Sequence, residues 1–509
     1  MSGTGTGLAE GSAAPAPDVL VIVMDCVRAS DFPGGASDAP EMPFVDALRK
    51  KAVSFPQAIS VAPWTLPSHA SMFTGLYPWE HGCHGRGSLV LDPRFERLAA
   101  TLRTAGYRTA SFSGNPIISP FYGLTEGFEV SEWGEWWEQV HRVRSRPYHS
   151  YRLLTGTTAP SVPELSFRDR SGRAIKTMMT RYPATLALSD AVQRRIVDPN
   201  RALSGSMNPW IEPNLSTWLA AQPERTPTFV FVNTIDAHEP YLLDPEDAPT
   251  LGAWWRDMRV PQDVLALLAS ETPPSSDDLG RLHSLYRSSI ARLDRRLERL
   301  VRVYRDAGRW ENTLLVLTSD HGQAFGEHGM IWHGVRTDEE MLRVPLVVRF
   351  PRDELGGTTG KGWASPMDIP ATVLEAANLT PAGSLSSRSL HRLVSEARSE
   401  PLLAAGDGTE WNRPFMQQLS DRRRSELNLF SIAAYQGATK VVVDATSDAC
   451  IVYRLTGRGL EESPASDARG PEIEGLIRVA RQAGRELLHP VSAGVGTAVD
   501  ERLRSWGYG

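Results

Sequence analysis

The residues best equipped for chemistry follow the apolar run 314–317, where the chain reads Ser319-Asp320-His321-Gly322. An acid beside an imidazole offers one hard oxygen and one nitrogen, a pair suited to a divalent cation. His328 and His333 follow in the same stretch and add two more potential ligands. A second apolar run, Asp18–Met24, stops at Asp25, whose carboxylate reads either as a metal ligand or as a helix N-cap. A third run, residues 228–235, stops at Asp236, with His238 two positions on. Thr65 stands two residues before Pro67, and Pro67-Ser68-His69-Ala70 reads as the first turn of a helix. A hydroxyl at such a place lies beside unpaired backbone N–H groups, where an anionic group is stabilised. The competing reading is a plain helix cap at Thr65 or Ser68.

These side chains converge only if the elements carrying them are neighbours. In an α/β sheet, ligands gather in the loops beyond the carboxyl ends of the strands. The three runs are too short for buried helices and rich enough for buried strands. Residues 101–113 pass from a helix closed at Gly106 into a further strand, after which comes Asn115. Over 282–304, Ile290, Leu293, Leu297, Leu300 and Tyr304 share one face of an amphipathic helix that leads through Gly308 into the strand before Asp320. Residues 343–350 read as another strand and 369–379 as a helix. Trp133, Trp136 and Trp137 are spaced for one helix face and read as packing residues. Past residue 400, segments 440–443 and 450–453 flank the turn 444–448 as an antiparallel hairpin, and 473–488 is helical.

The expected fold is therefore α/β: a large, mostly parallel central sheet sandwiched by helices, with a small C-terminal α+β subdomain. Expected boundaries are a disordered leader at 1–17, a catalytic domain at 18–395 and the subdomain at 396–509.

With 509 residues, 41% hydrophobic and 22% charged, the chain can bury a large core. A net charge of -6 argues against a general nucleic-acid binder, and basic clusters such as Arg422-Arg423-Arg424 read as solvated surface. Cys26, Cys83 and Cys450 are odd in number and lack a CxxC spacing, which fits a reducing compartment. The N-terminal residues lack a basic segment followed by an apolar one, so no secretory signal is expected. No run approaches a membrane span, and the expected location is cytoplasmic. Oligomeric state leaves no mark in the sequence.

The segment PWTLPSHASMFTGLYPWEHG resembles the motif of the sulfatase family within the alkaline phosphatase superfamily. Other landmarks stand in the family's order: Asp25 after the first strand, residues 106–110 (GYRTA), Ser113-Gly114-Asn115, residues 236–241 (DAHEPY), Ser319-Asp320-His321-Gly322 and Arg343-Val344-Pro345-Leu346. Residues 499–508 look like the closing segment of bacterial sulfatases. The resemblance implies a small anionic ester as substrate and a cation held by Asp25, Asp320, His321 and Thr65, with Thr65 as nucleophile. It implies that Asn115, His69 and His328 bind substrate. His238 and His333 would contact the ester's oxygens or supply a leaving-group proton, or they would join Asp236 around a second ion.

Departures from the family refine this picture. Formylglycine enzymes carry Cys or Ser within a Cys/Ser-x-Pro-x-Arg motif, whereas this chain has Thr65-Leu66-Pro67-Ser68-His69. Oxidising a threonine side chain would give a ketone instead of an aldehyde, so the formylglycine route is not expected. Threonine nucleophiles occur in related phosphodiesterases and phosphoryl transferases, similar to phosphoethanolamine transferases. Cys26 replaces the usual second aspartate, which favours zinc or manganese over calcium, with one ion or two. The lysine that many sulfatases carry after Asp-His-Gly is missing. The expected activity is cleavage of a phosphate or phosphonate ester through a covalent Thr65 intermediate, by hydrolysis or transfer. The alternatives are sulfate-ester hydrolysis without formylglycine and a catalytically inactive anion-binding member of the family.

Overall fold

The computed structural model describes residues 15–134, 208–239, 241, 274–381, 383–407, 420–421, 430–456, 461–465 and 469–488. A seven-stranded sheet forms the centre, in the order β2-β9-β6-β1-β5-β3-β4. Its strands are β1 (Asp18–Met24), β2 (Val53–Ser54), β3 (Arg108–Ser113), β4 (Val130–Trp133), β5 (Thr228–Thr234), β6 (Thr313–Thr318) and β9 (Leu346–Arg349). The five strands from β6 to β4 run parallel, and β9 and β2 close one side antiparallel. The α/β class with a mostly parallel sheet is as the sequence implied.

Strand periodicity assigns the two faces. Val19, Val21 and Val23 of β1 pack on one side with Phe229, Phe231, Leu314 and Val316. That side is covered by helices α2 (Thr65–Thr74), α3 (Leu98–Thr104) and α6 (Ile369–Ala376). Leu20, Ile22 and Met24 pack on the other side with Val230, Val232, Leu315 and Leu317. There the cover comes from α1 (Pro43–Arg49), α4 (Ile211–Ala220) and α5 (Ser276–Asp306). In α5, Leu285, Ile290, Leu293, Leu297 and Leu300 are buried at helical spacing, and the Ser275 hydroxyl accepts from Asp278 N–H to cap it. Burying both faces explains why each central strand reads as a nearly unbroken apolar run.

A second sheet of five antiparallel strands, β10 (Leu402–Asp407) to β14 (Glu461–Pro464), backs onto helix α7 (Pro471–Leu488). Its hairpin is the expected one: β12 (Thr439–Asp444) pairs with β13 (Cys450–Thr456). A two-stranded ribbon, β7 (Ala324–Phe325) with β8 (Ile331–Trp332), lies inside the loop after β6. Trp133 corrects the sequence reading. It lies in strand β4, paired in parallel with Ser113, because β3 supplies backbone partners that outweigh the local helical spacing. Trp136, Trp137 and the segment 499–508 lie outside the described residues. Among the described residues, no helix is long and apolar enough to cross a membrane.

Candidate active site

Four adjacent strands, β6, β1, β5 and β3, end at one rim, which brings together Asp320-His321, Asp25, His238 and Asn115. Asp25 is fully buried and does not cap a helix. Its Oδ2 accepts from Asn115 Nδ2 at 2.9 Å and Asn233 Nδ2 at 3.4 Å. Asn115 thus holds a carboxylate of the site through its amide nitrogen. Asp320 Oδ1 accepts from the N–H groups of Cys26 at 3.2 Å and His321 at 3.0 Å. Ser319 stitches the two strand ends together, accepting from Val27 N–H and donating to the His321 carbonyl.

His321 Nδ1–H donates to the Gly322 carbonyl at 2.9 Å, which leaves Nε2 with the lone pair. That nitrogen lies 3.3 Å from Asp320 Oδ2, 3.8 Å from Asp25 Oδ1 and 3.4 Å from Thr65 Oγ1. Thr65 is 3% exposed and opens helix α2 as its first residue. The capping position belongs to Trp64, which makes no side-chain cap, and the Ser68 hydroxyl donates to the Asp320 carbonyl. The competing reading of a cap at Thr65 or Ser68 does not hold, and the Thr65 hydroxyl is not engaged by its own helix. Gly75 ends α2 in the left-handed conformation at φ 71° that glycine adopts without strain. Behind the helix, Trp64 Nε1 donates to Asp407 of β10 at 2.8 Å.

His69 is enclosed beneath this site, its ring against Phe73 and Phe231. It donates from Nδ1 to the Thr65 carbonyl at 2.8 Å, so it supports the helix turn instead of facing outward as a substrate contact. His328 is exposed, left-handed at φ 53°, with Nε2 3.8 Å from Glu340. It stays outside the cluster. Asp236 is also elsewhere: its Oδ2 accepts from Arg296 Nη1 at 2.7 Å, and Arg296 is itself buried.

His333 follows β8 and stacks near His321 with ring centroids 4.5 Å apart, and His238 lies 5.3 Å beyond. Two donors that the sequence reading did not assign join them. One ligand atom each from Cys26, His238, Glu239 and His333 lies within 4.8 Å of the others. Asp25, Cys26 and His321 form a second such group. Each missed residue directly follows one already singled out, Cys26 after Asp25 and Glu239 after His238.

The electrostatics are those of crowded charges out of water. Burial, reinforced by the Asp25 charge, pushes the Asp320 carboxyl well above the usual carboxylate range. Burial works the same way on Asp25, but His238, His321 and the Asn115 hydrogen bond outweigh it and hold that group low. Burial lowers His321 and His69 to about 4 each, and burial with help from His321 and His238 holds His333 well below the usual histidine range. His238 is raised, since Glu239 and Asp25 overcome the burial that opposes them. Two atoms test whether a cation fits. Asp320 Oδ2 and His69 Nε2 are buried without a hydrogen-bond partner. A buried carboxylate oxygen left in that way is costly, and a divalent ion among Asp25, Asp320 and His321 would satisfy it. The donor set fits.

A protein-family model described as "Sulfatase" matches residues 17–379. The chain belongs to the sulfatase family. This sulfatase-family chain is 22% identical over 413 residues to an arylsulfatase of Clostridium perfringens, covering 75% of the chain and 79% of that protein. It is 22% identical over 424 residues to the multifunctional alkaline phosphatase superfamily protein PehA of Trinickia caryophylli, covering 77% and 78%. Among solved structures, the phosphonate monoester hydrolase of Agrobacterium radiobacter superposes with a TM-score of 0.63 at 19% identity, over 93% of this chain and 96% of that one. That likeness extends to the fold. The family's members are ester hydrolases that generally depend on a divalent metal.

Proposed function

We propose that this sulfatase-family protein cleaves a phosphate or phosphonate ester by attack of Thr65, with a divalent cation held by Asp25, Asp320, His321 and Thr65 Oγ1. The observation that carries the reading is the contact of Thr65 Oγ1 with the lone-pair nitrogen of His321, 3.4 Å away, beside both carboxylates. Nitrogen among the donors favours zinc or manganese over calcium. When bound, such an ion lowers the pKa of a neighbouring hydroxyl and screens an anionic ester.

The chain's own groups then account for the rest. Asn115 and Asn233 fix Asp25, the N–H groups of Cys26 and His321 fix Asp320, and Gly322 selects the His321 tautomer. The N-terminus of α2 adds its dipole where negative charge grows. Thr65 Oγ1 gives up its proton and bonds to phosphorus, the ester oxygen leaves as an alcohol carrying a proton, and water or another alcohol releases the threonine ester. His238 and His333 continue the row of rings from His321 and are the groups offered to the ester's remaining oxygens. Threonine at this position supports direct attack, because its oxidation product is not the aldehyde used by formylglycine enzymes. A sulfate ester is the second reading, favoured by the arylsulfatase relative.

The test is intact-mass analysis of metal-loaded protein after brief exposure to aryl phosphodiester, aryl phosphonate and aryl sulfate esters. A phosphoryl or phosphonyl adduct mapping to Thr65 is expected, and Thr65→Ala should lose turnover by roughly 10^4-fold while remaining folded and metal-loaded. Full activity in Thr65→Ala would remove the nucleophile assignment, and a sulfuryl adduct alone would replace phosphorus with sulfur.

A further inference from the structure

Cys26, His238, Glu239 and His333 stand on the flank of the first ion's ligands, and each is held from behind. His333 Nδ1–H donates to Gln323 Oε1 at 2.7 Å, and His238 Nδ1–H donates to the Glu239 carbonyl at 2.7 Å. Both rings therefore keep their lone pair on Nε2. The Glu239 carboxylate receives Gln323 Nε2 on one oxygen at 3.3 Å and Trp332 Nε1 on the other. Cys26 adopts φ 65°, uncommon for a residue with a side chain. Its backbone is clamped there by N–H donation to Asp320 and by the Tyr286 hydroxyl, which donates to its carbonyl at 2.8 Å. Its sulfur stands 3.4 Å from Asp25 Oδ1 and 3.6 Å from His333 Nδ1.

Charge decides between two roles for this group. Histidines that merely touch an anionic ester need no acid among them, and a buried carboxylate beside the ester would repel it. Glu239 is 7% exposed and directly follows His238. Cys26 Sγ supplies a ligand atom that lies, with one each from His238, Glu239 and His333, within 4.8 Å of the others. Asp236, the acid expected here from sequence, is engaged with Arg296.

We propose that Cys26, His238, Glu239 and His333 form a second cation site of the sulfur–imidazole–carboxylate kind that takes zinc. This rests on the first ion's reading, and it gives His238 and His333 their role: they act on the ester through a cation. On binding, the Cys26 S–H bond breaks, the proton goes to water, and the sulfur lone pair goes to the metal. A thiolate donor selects zinc over manganese, calcium and magnesium.

The test is metal content of the purified full-length chain after zinc loading and dialysis, with a parallel cobalt-loaded sample read by absorption. Two equivalents of zinc per chain and a thiolate-to-cobalt charge-transfer band in the near ultraviolet are expected. Cys26→Ser should abolish the band, Glu239→Gln should lower zinc to one equivalent, and Asp320→Asn should remove the other. One equivalent that is lost in Asp320→Asn, kept in Glu239→Gln and accompanied by no band in wild type overturns the second site while the first stands. One equivalent lost only in Glu239→Gln, with the band present, upholds this site and overturns the first. No bound metal overturns both. The wild-type count of two zinc equivalents needs no variant, so misfolding of a substituted chain cannot hide the answer.

Discussion

Replacing Asp236 by alanine separates two accounts of the loop after β5. If Asp236 were a metal ligand, its loss would empty a cation site and leave stability nearly untouched. The structure instead pairs Asp236 Oδ2 with Arg296 Nη1 at 2.7 Å, where Arg296 is 1% exposed. Removing one member of a buried ion pair costs about 3–5 kcal/mol, because the other charge is stranded. Arg296 keeps Nη2 donation to the Asn208 carbonyl at 2.5 Å, and Glu212 Oε1 remains 3.3 Å from its Nε. Those partners place the expected loss at the lower end, about 3 kcal/mol. Urea unfolding, fitted together for wild type and Asp236→Ala, reads the destabilisation, and plasma mass spectrometry reads the metal. The expected result is unchanged metal per folded chain with reduced stability. Lost metal at unchanged stability would refute the assignment of Asp236 to Arg296.

Asn115→Ala removes a charge-assisted donor to Asp25 and should weaken the first ion by about 10–100-fold in a chelator competition, with the fold intact; an unchanged affinity would show that Asn233 suffices. His328→Ala should leave kcat and KM within about twofold, since among the described residues the exposed ring's ion-pair partner is Glu340, 3.8 Å away; a large rise in KM would return it to the substrate. His84 is lowered to about 4, chiefly by burial. Its neutral form is the one the fold accepts, so between about pH 6.5 and 4 the unfolded chain takes up a proton that the folded chain refuses. Its stabilising contribution is present above pH 6.5 and declines by about 1.4 kcal/mol per unit as the pH falls. The stability gap between wild type and His84→Asn should accordingly narrow from pH 7 to pH 5, and a constant gap would contradict the burial argument.

What the sequence disclosed follows from which forces are local. Asp18–Met24, 228–235 and the run before Asp320 were legible as strands because double-sided burial demands continuous apolar residues, and each ends within a residue or so of its expected bound. Helix α5 was legible for the same reason at a different period, although Ser275 starts it earlier than the apolar pattern does. Asp25 and Asp320-His321 were legible as neighbours because strand ends in a parallel sheet converge on one rim, whereas Thr65, at the start of helix α2, joined them only through the resemblance to the sulfatase family. Donor choice within a turn was not legible. Asp236, His238 and Glu239 lie within four positions, and only the path of the chain after Thr234 decides that the first faces Arg296 and the others face His333. Trp133 likewise obeys β3, a partner distant in sequence that its own spacing cannot reveal.

The bond from Trp64 to Asp407 has a consequence for the newborn chain. The indole at the entrance of helix α2 waits for a carboxylate 343 positions downstream, well past the stretch that matches the family model. At about 5–20 residues per second, synthesis needs roughly 20–70 s to supply it. Until then the turn that carries Thr65 lacks its outer brace, so the ribosome delivers all seven strands of the central sheet before that brace can form.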